Sequence, residues 1–390
     1  MRPLIEAEEQ ALLPRTHNRR FYRPELDGLR FYAFLGVFVC HTLPLETTFY
    51  SELHLPQPSL WAALVRSGAA GVDLFFVLSA FLITSLLLRE RQETGQISLG
   101  LFYIRRVLRI WPLYFLVVAL GITLAHTAPK RSQFWYYDPA LPWPYVAGYV
   151  LFVANWVYAV LGPTHSICAP LWTVSIEQQF YLVWPALMKT LKRRGIVIAG
   201  VVTFLLATTV QLTLVLRGAS AAYAYYSSAS RCDSLALGIF LALLVDRLPR
   251  LTSSMRILLV GGGLIGWICG SARLADFVGP AGLRMALDRL LISLASGFIL
   301  YGCLYSRNRL VTGGLVVRLG KVSYGFYMLH YTGLLLALSL FHPRWGWKLL
   351  GTKALGFVIT LLLSFASYRW FESPFLRLKS RFAAVPSRPV

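Results

Sequence analysis

His41 is the residue of this sequence that first demands a chemical explanation. It interrupts the apolar run Phe31-Tyr32-Ala33-Phe34-Leu35-Gly36-Val37-Phe38-Val39-Cys40, which opens on Arg30. In a helix the stretch from Arg30 to His41 rises about 16 Å, roughly half the hydrocarbon core of a bilayer. The arginine then sits at one face and the imidazole well inside, where an ionisable group is costly and often marks function. Two readings are open at this point: proton handling, or packing with the ring bonded to a carbonyl of a neighbouring helix. Three carboxylates and one arginine lie in comparable settings. They are Asp73 in Gly71-Val72-Asp73-Leu74-Phe75-Phe76, Glu177 in Leu171-Trp172-Thr173-Val174-Ser175-Ile176-Glu177, and Arg231 with Asp233 at the start of another apolar run. A basic set, Arg30, Arg105, Arg106, Arg109, Arg318 and Lys321, gathers at span entrances. Arg106 and Arg109 are three apart and share a helix face. Guanidinium forks suit phosphate or pyrophosphate; ordinary charge anchoring of spans is the competing reading.

The elements that must position these groups are membrane helices. Apolar residues make up 56% of the chain and charged residues 14%, with a mean hydropathy of +0.58. A soluble domain carries nearer to about 25% charge. Apolar runs of around 20 residues recur from end to end, which implies an all-α, polytopic integral membrane bundle. Ten spans are expected, at about 29–46, 71–88, 110–126, 171–190, 196–216, 231–246, 256–273, 286–305, 319–341 and 349–370. One further apolar segment, about 143–161, is expected to be re-entrant or to lie at the outer interface. Counting it as a span would export Arg247, Arg250, Arg256, Arg307, Arg309, Arg318 and Lys321, against the positive-inside rule. Its Pro142-Trp143-Pro144 start and Gly162-Pro163 end permit a broken path. The expected organisation is a cytoplasmic arm over 1–28 with no signal-peptide core, a membrane domain over 29–375 and a basic cytoplasmic tail over 376–390. The protein is then multi-pass in the plasma membrane. The net charge of +21 sits in short loops, a pattern of contact with anionic lipid and not with nucleic acid.

On this topology His41, Asp73, Glu177, Arg231 and Asp233 converge on the outer half of the bundle, and the basic set on the inner face. His330, in Tyr324-Gly325-Phe326-Tyr327-Met328-Leu329-His330, falls near mid-membrane, either as a second site residue or as packing. The aromatic stripes of Phe75, Phe76, Phe180, Tyr181, Tyr324 and Tyr327 read as helix packing. The five cysteines show no paired spacing, so neither a disulfide framework nor a metal site is expected. No P-loop, HExxH or GxSxG motif is present.

Several of these stretches, in their order and spacing, resemble the membrane-bound acyltransferase-3 family, whose members O-acylate surface and secreted glycans. Leu26-Asp27-Gly28-Leu29-Arg30, with His41 following, resembles the family's first-span signature, and Gly71 to Ser79 its second. Arg106-x-x-Arg109 with Pro112 resembles the third. Leu171 to Tyr181, ending in Trp184-Pro185, then Leu319-Gly320-Lys321-Val322-Ser323-Tyr324 to His330, and Glu372-x-Pro374 complete the set. The resemblance covers about Tyr22 to Phe375. It departs from the family at Ala80, Thr173 and Gln178, none of which removes a group needed for chemistry.

The resemblance implies ten spans, an acyl-coenzyme A donor, most plainly acetyl-CoA, and an essential first-span histidine. It implies an O-acetyltransferase acting on a carbohydrate acceptor. Acyl transfer to a hydroxyl needs a base near the alcohol and donors for the developing oxyanion. His41 is then the base or a transient acyl carrier, with Glu177 expected to hold its tautomer. Arg30, Arg106, Arg109 and Lys321 would bind the donor's phosphates. Asp73, Arg231, Asp233, Trp172, Ser175 and His330 would line the acceptor side. A transporter exporting an acylated sugar or an ion is the alternative that buried ionisable residues also permit.

Overall fold

The computed structural model describes residues 22–127, 141–271, 282–341 and 346–382, and among these the ordered elements are helices. Most of the arm expected over 1–28 and the end of the tail lie outside the described residues. Helix α1 (Pro24–Thr42) starts inside the expected arm, because Pro24 at the first helical position loses no hydrogen bond. Two short helices, α2 (Thr47–Glu52) and α3 (Pro58–Ser67), and a 3₁₀ turn lead into α4 (Gly71–Thr94). Then follow α5 (Leu99–Thr127), α6 (Trp143–Val150), α7 (Ala154–Leu161), α8 (Leu171–Thr190) and α9 (Arg193–Leu216). The remainder is α10 (Ala221–Tyr226), α11 (Ser228–Leu244), α12 (Ser253–Ser271), α13 (Leu283–Cys303), α14 (Arg309–Thr312), α15 (Gly314–Lys321), α16 (Ser323–Phe341) and α17 (Gly346–Ala366). A π-turn at Ser367–Glu372 passes into α18 (Ser373–Ser380).

Among the described residues, seven helical stretches are long and apolar enough to cross a membrane: Pro58–Thr94, Leu99–Thr127, Arg193–Leu216, Ala221–Leu244, Ser253–Ser271, Ser323–Phe341 and Gly346–Ser380. The other three expected spans correspond to α1, α8 and α13, of 19, 20 and 21 residues. Each has the length to cross but carries charge, at Arg30, Glu177 and Arg289. Most of these helices begin a few residues before the expected boundary, because a polar first turn stays helical, and several end short of it.

The segment 143–161 is two helices of eight residues, about 12 Å each, so neither can span alone. The break falls at Phe152, which takes a left-handed φ of 56°. Gln179 of α8 clamps it. Its Nε2 donates to the Phe152 carbonyl at 2.8 Å and to Asn155 Oδ1 at 2.9 Å, and its Oε1 accepts from Ser228 Oγ.

Helix α4 lies inside the bundle, packed on α1, α11 and α13. Close approach of α11 depends on Gly238, where a Cβ would meet Ala80 Cβ at 2.8 Å and Phe81 N at 2.9 Å. Small residues serve this purpose in membranes, where lipid competes for apolar contact and tight packing decides association. The outer faces present Ile198, Leu205, Ile257, Leu258 and Leu362. Helix α16 packs between α1 and α17, which sets the second-last span against the first.

Candidate active site

A cavity of about 1270 Å³, its open mouth included, runs into the bundle between α1, α4, α5, α8 and α16. Its mouth is basic: Arg23, Arg30, Arg106, Arg109 and Lys379 all contribute. Most cations near this face are neutralised. Arg30 pairs with Asp27 at 3.1 Å and Arg105 with Glu90 at 2.9 Å. Arg106 and Arg109 form no ion pair among the described residues, and the buried Nε of Arg106 has no hydrogen-bond partner. Their guanidinium groups instead lie over Phe102, Tyr181 and Tyr324, at 5.5, 5.8 and 6.0 Å from the ring centroids. Rings hold a guanidinium without neutralising it, so this wall is left able to bind an anion. Deeper in, Glu177 accepts a hydrogen bond of 2.5 Å from Ser79 Oγ. The lining ends at Val72, Phe76, Thr173 and Tyr327. There the Tyr327 hydroxyl meets Thr173 Oγ1 at 2.8 Å and the Pro170 carbonyl at 3.2 Å.

Beyond Tyr327 lies a pair of histidines. His41 Nδ1 is 3.0 Å from His330 Nε2, with ring planes 10° apart. His330 Nδ1 is 2.7 Å from the Tyr327 carbonyl oxygen. Phe34, Phe38, Tyr327 and Tyr331 surround the His330 ring, which is fully buried, while His41 is half-buried. The expected contact between His41 and Glu177 is not formed. Glu177 faces Ser79 in the cavity near Arg30 and Arg106, and the partner at His41 Nδ1 is His330.

The remaining acidic groups assemble elsewhere. Asp73 accepts a bidentate pair from Arg289, at 2.7 and 3.1 Å, and hydrogen bonds from Arg231 Nη1 and Ser234 Oγ. Asp233 accepts from Ser293 Oγ at 2.7 Å. These four charged residues are between 0 and 2% exposed, and their formal charges cancel. Tyr225 covers Arg231, whose guanidinium carbon is 3.9 Å from the ring centroid. None of the four lines the cavity. Asp73, Arg231 and Asp233, expected on the acceptor side, thus form a buried ion quartet that joins α4, α11 and α13.

The acyltransferase domain family, acyltransferase 3, matches over residues 23–369. This chain belongs to the acyltransferase-3 family. The chain is similar to the peptidoglycan O-acetyltransferase OatA of Listeria monocytogenes, 28% identical over 375 residues, covering 92% of this chain and 56% of that protein. The O-acetyltransferase OatA of Staphylococcus aureus is 26% identical over 391 residues, covering 94% of this chain and 59% of the other. The chain therefore spans a little over half the length of these relatives. No solved structure gives a significant match.

For this acyltransferase-3 member, the geometry brings together Arg30, Arg106, Arg109 and Glu177 on the cavity, and His41 with His330 behind it. Lys321 does not line the cavity; its ammonium lies 6.0 Å from the ring centroid of Tyr22, which does. Trp172 lies 5.2 Å from the Arg231 guanidinium carbon, against the quartet, and Ser175 is bonded within its own helix to the Leu171 carbonyl. Neither reaches the cavity. Sequence reasoning overlooked Arg289, although an arginine inside the apolar run of α13 was a visible signal. It also read Tyr327 as packing and passed over Ser79 and Thr173, whose hydroxyls carry no periodic signature.

Proposed function

We propose that this chain is an O-acetyltransferase that moves an acetyl group from acyl-coenzyme A to a hydroxyl of an envelope glycan such as peptidoglycan. The donor enters from the cytoplasmic side and the acceptor meets it from the other side, with both termini cytoplasmic. One observation carries the reading: a cavity with two arginines outside any ion pair at its mouth ends against Tyr327, whose ring and carbonyl adjoin the histidine pair.

The residues present fit the donor. Arg106 and Arg109 offer guanidinium forks to its phosphates, and the long cavity suits an extended pantetheine arm. Ser79, Glu177 and Thr173 supply polar partners along the way. Tyr327 stands between the cavity's end and the histidines, so its side chain must swing for the thioester to reach them. His41 then takes the proton of the acceptor hydroxyl as that oxygen attacks the thioester carbonyl. The C–S bond breaks, and the thiolate takes the proton back from His41. General base and acid work of this kind is worth roughly 10²- to 10⁴-fold in rate.

The test uses purified protein in sealed vesicles with acetyl-labelled coenzyme A and peptidoglycan fragments. Covalent label in the fragments is the expected result, and its loss in His41→Ala and His41→Gln. Full transfer by either variant would remove His41 from the chemistry. Uptake of label without covalent transfer would turn the reading to a transporter.

A further inference from the structure

We infer that His330 is a positioning residue: it fixes His41 in the tautomer whose Nε2 carries a lone pair. A carbonyl oxygen only accepts, so the contact of His330 Nδ1 with the Tyr327 carbonyl places the proton of the neutral ring on that nitrogen. His330 Nε2 is then an acceptor. The nitrogen that faces it at 3.0 Å, His41 Nδ1, must donate. In a neutral ring that leaves His41 Nε2 unprotonated. Free imidazole side chains in water favour the opposite form, with the proton on Nε2. The hydrogen bond made by one ring nitrogen sets the state of the other, and here the chain of bonds begins at a main-chain carbonyl.

The surroundings hold this arrangement in place. Phe34 and Phe38 present edges to His330 at centroid distances of 6.1 and 6.4 Å, and Tyr331 lies 4.8 Å from it and 5.5 Å from His41. Helices α1 and α16, which carry the two histidines, pack directly on each other. The chemical nature of the partner also follows from the setting. A carboxylate at position 330 would orient His41 equally well, but it would place a negative charge among the aromatic rings whenever His41 is neutral. A second imidazole orients the base without adding charge.

The assignment rests on the acyl-transfer reading for its purpose but not for its geometry. During transfer, His41 Nε2 accepts the hydroxyl proton while the new C–O bond forms and the C–S bond breaks. The resulting imidazolium keeps its Nδ1–H on the lone pair of His330, and Nε2 then returns the proton to the thiolate. Both histidines end as they began.

The test uses the full chain in lipid nanodiscs. Nitrogen NMR of ¹⁵N-histidine protein reads the tautomer of His41, assigned by its loss in His41→Gln. Kinetics with acetyl-CoA and peptidoglycan fragments read kcat and KM separately for wild type, His330→Leu and His330→Gln. The expected wild-type result is a proton on Nδ1 of His41. In His330→Leu that preference disappears and kcat falls about 10²-fold, with KM for acetyl-CoA unchanged. His330→Gln, whose amide oxygen reaches the place of Nε2, restores at least about tenfold of that loss, as expected for regaining one hydrogen bond to a charge-bearing group. A wild-type His41 protonated on Nε2 would overturn the assignment, whatever the variants do. So would a wild-type kcat in His330→Leu, or a glutamine variant no better than leucine. Absence of any transfer by a wild type whose His41 is protonated on Nδ1 would sink the acyl-transfer reading and leave the tautomer assignment supported.

Discussion

Replacing Asp73 by Asn removes one negative charge from a site that water cannot reach. The side chain keeps its shape, but Arg231 and Arg289, both nearly inaccessible, are left with Asp233 alone for balance. At separations near 3 Å and an effective dielectric of about 20, each charge contact is on the order of 5 kcal/mol before solvation is counted. Desolvation offsets most of this, and breaking one partner of a buried ion cluster typically costs about 3–5 kcal/mol. That loss is large beside the marginal stability of most folds. Thermal unfolding in detergent, followed with a thiol-reactive dye that reports exposure of the buried Cys168 and Cys303, measures it directly. Asp73→Asn should unfold at clearly lower temperature. Asp73→Asn with Arg289→Gln restores neutrality and should recover part of the loss, with a coupling energy of about 1–3 kcal/mol. Protein that remains folded should keep its KM for acetyl-CoA, because none of the four charges borders the cavity. An unchanged unfolding temperature in the single variant, or a double variant less stable than the single one, would refute the quartet's structural role.

Arg106→Gln and Arg109→Gln should each weaken coenzyme A binding about 10- to 100-fold, the equivalent of one charge-assisted hydrogen bond, measured by calorimetry at low salt. Equal affinity would mean that these arginines only anchor the helix. Gly238→Leu forces α11 away from α4, and overpacking of that kind costs about 1–3 kcal/mol. An unfolding curve identical to wild type would contradict the close approach. Gln179→Leu leaves the Phe152 carbonyl and Asn155 short of donors, at about 1–3 kcal/mol. Hydrogen exchange should then speed up around residues 148–156, and unchanged protection would show that the clamp is dispensable.

What could be read from the chain alone was whatever is local. Helix length and apolar runs locate the spans, and proline and glycine at 142–144 and 162–163 mark the segment that the structure breaks at Phe152. The three-residue spacing of Arg106 and Arg109 places both on one wall of the cavity. Pairings between distant helices were not legible. His41 and His330 are 289 positions apart, and Asp73 and Arg289 are 216 apart. Nothing in either local pattern says which helix lies alongside which. Glu177 was therefore assigned to the wrong neighbour: depth in the membrane limits which groups can meet, but the packing of α1 on α16 decides it.

The hydroxyl of Tyr327, tied to Thr173 and to the Pro170 carbonyl, stops the basic basin short of the histidines. A bundle hollowed from one face and furnished with proton-carrying rings behind the hollow would otherwise resemble a conduit for protons. With the aromatic plug seated, such a path is interrupted at the Tyr327 ring, between the basin and the two imidazoles.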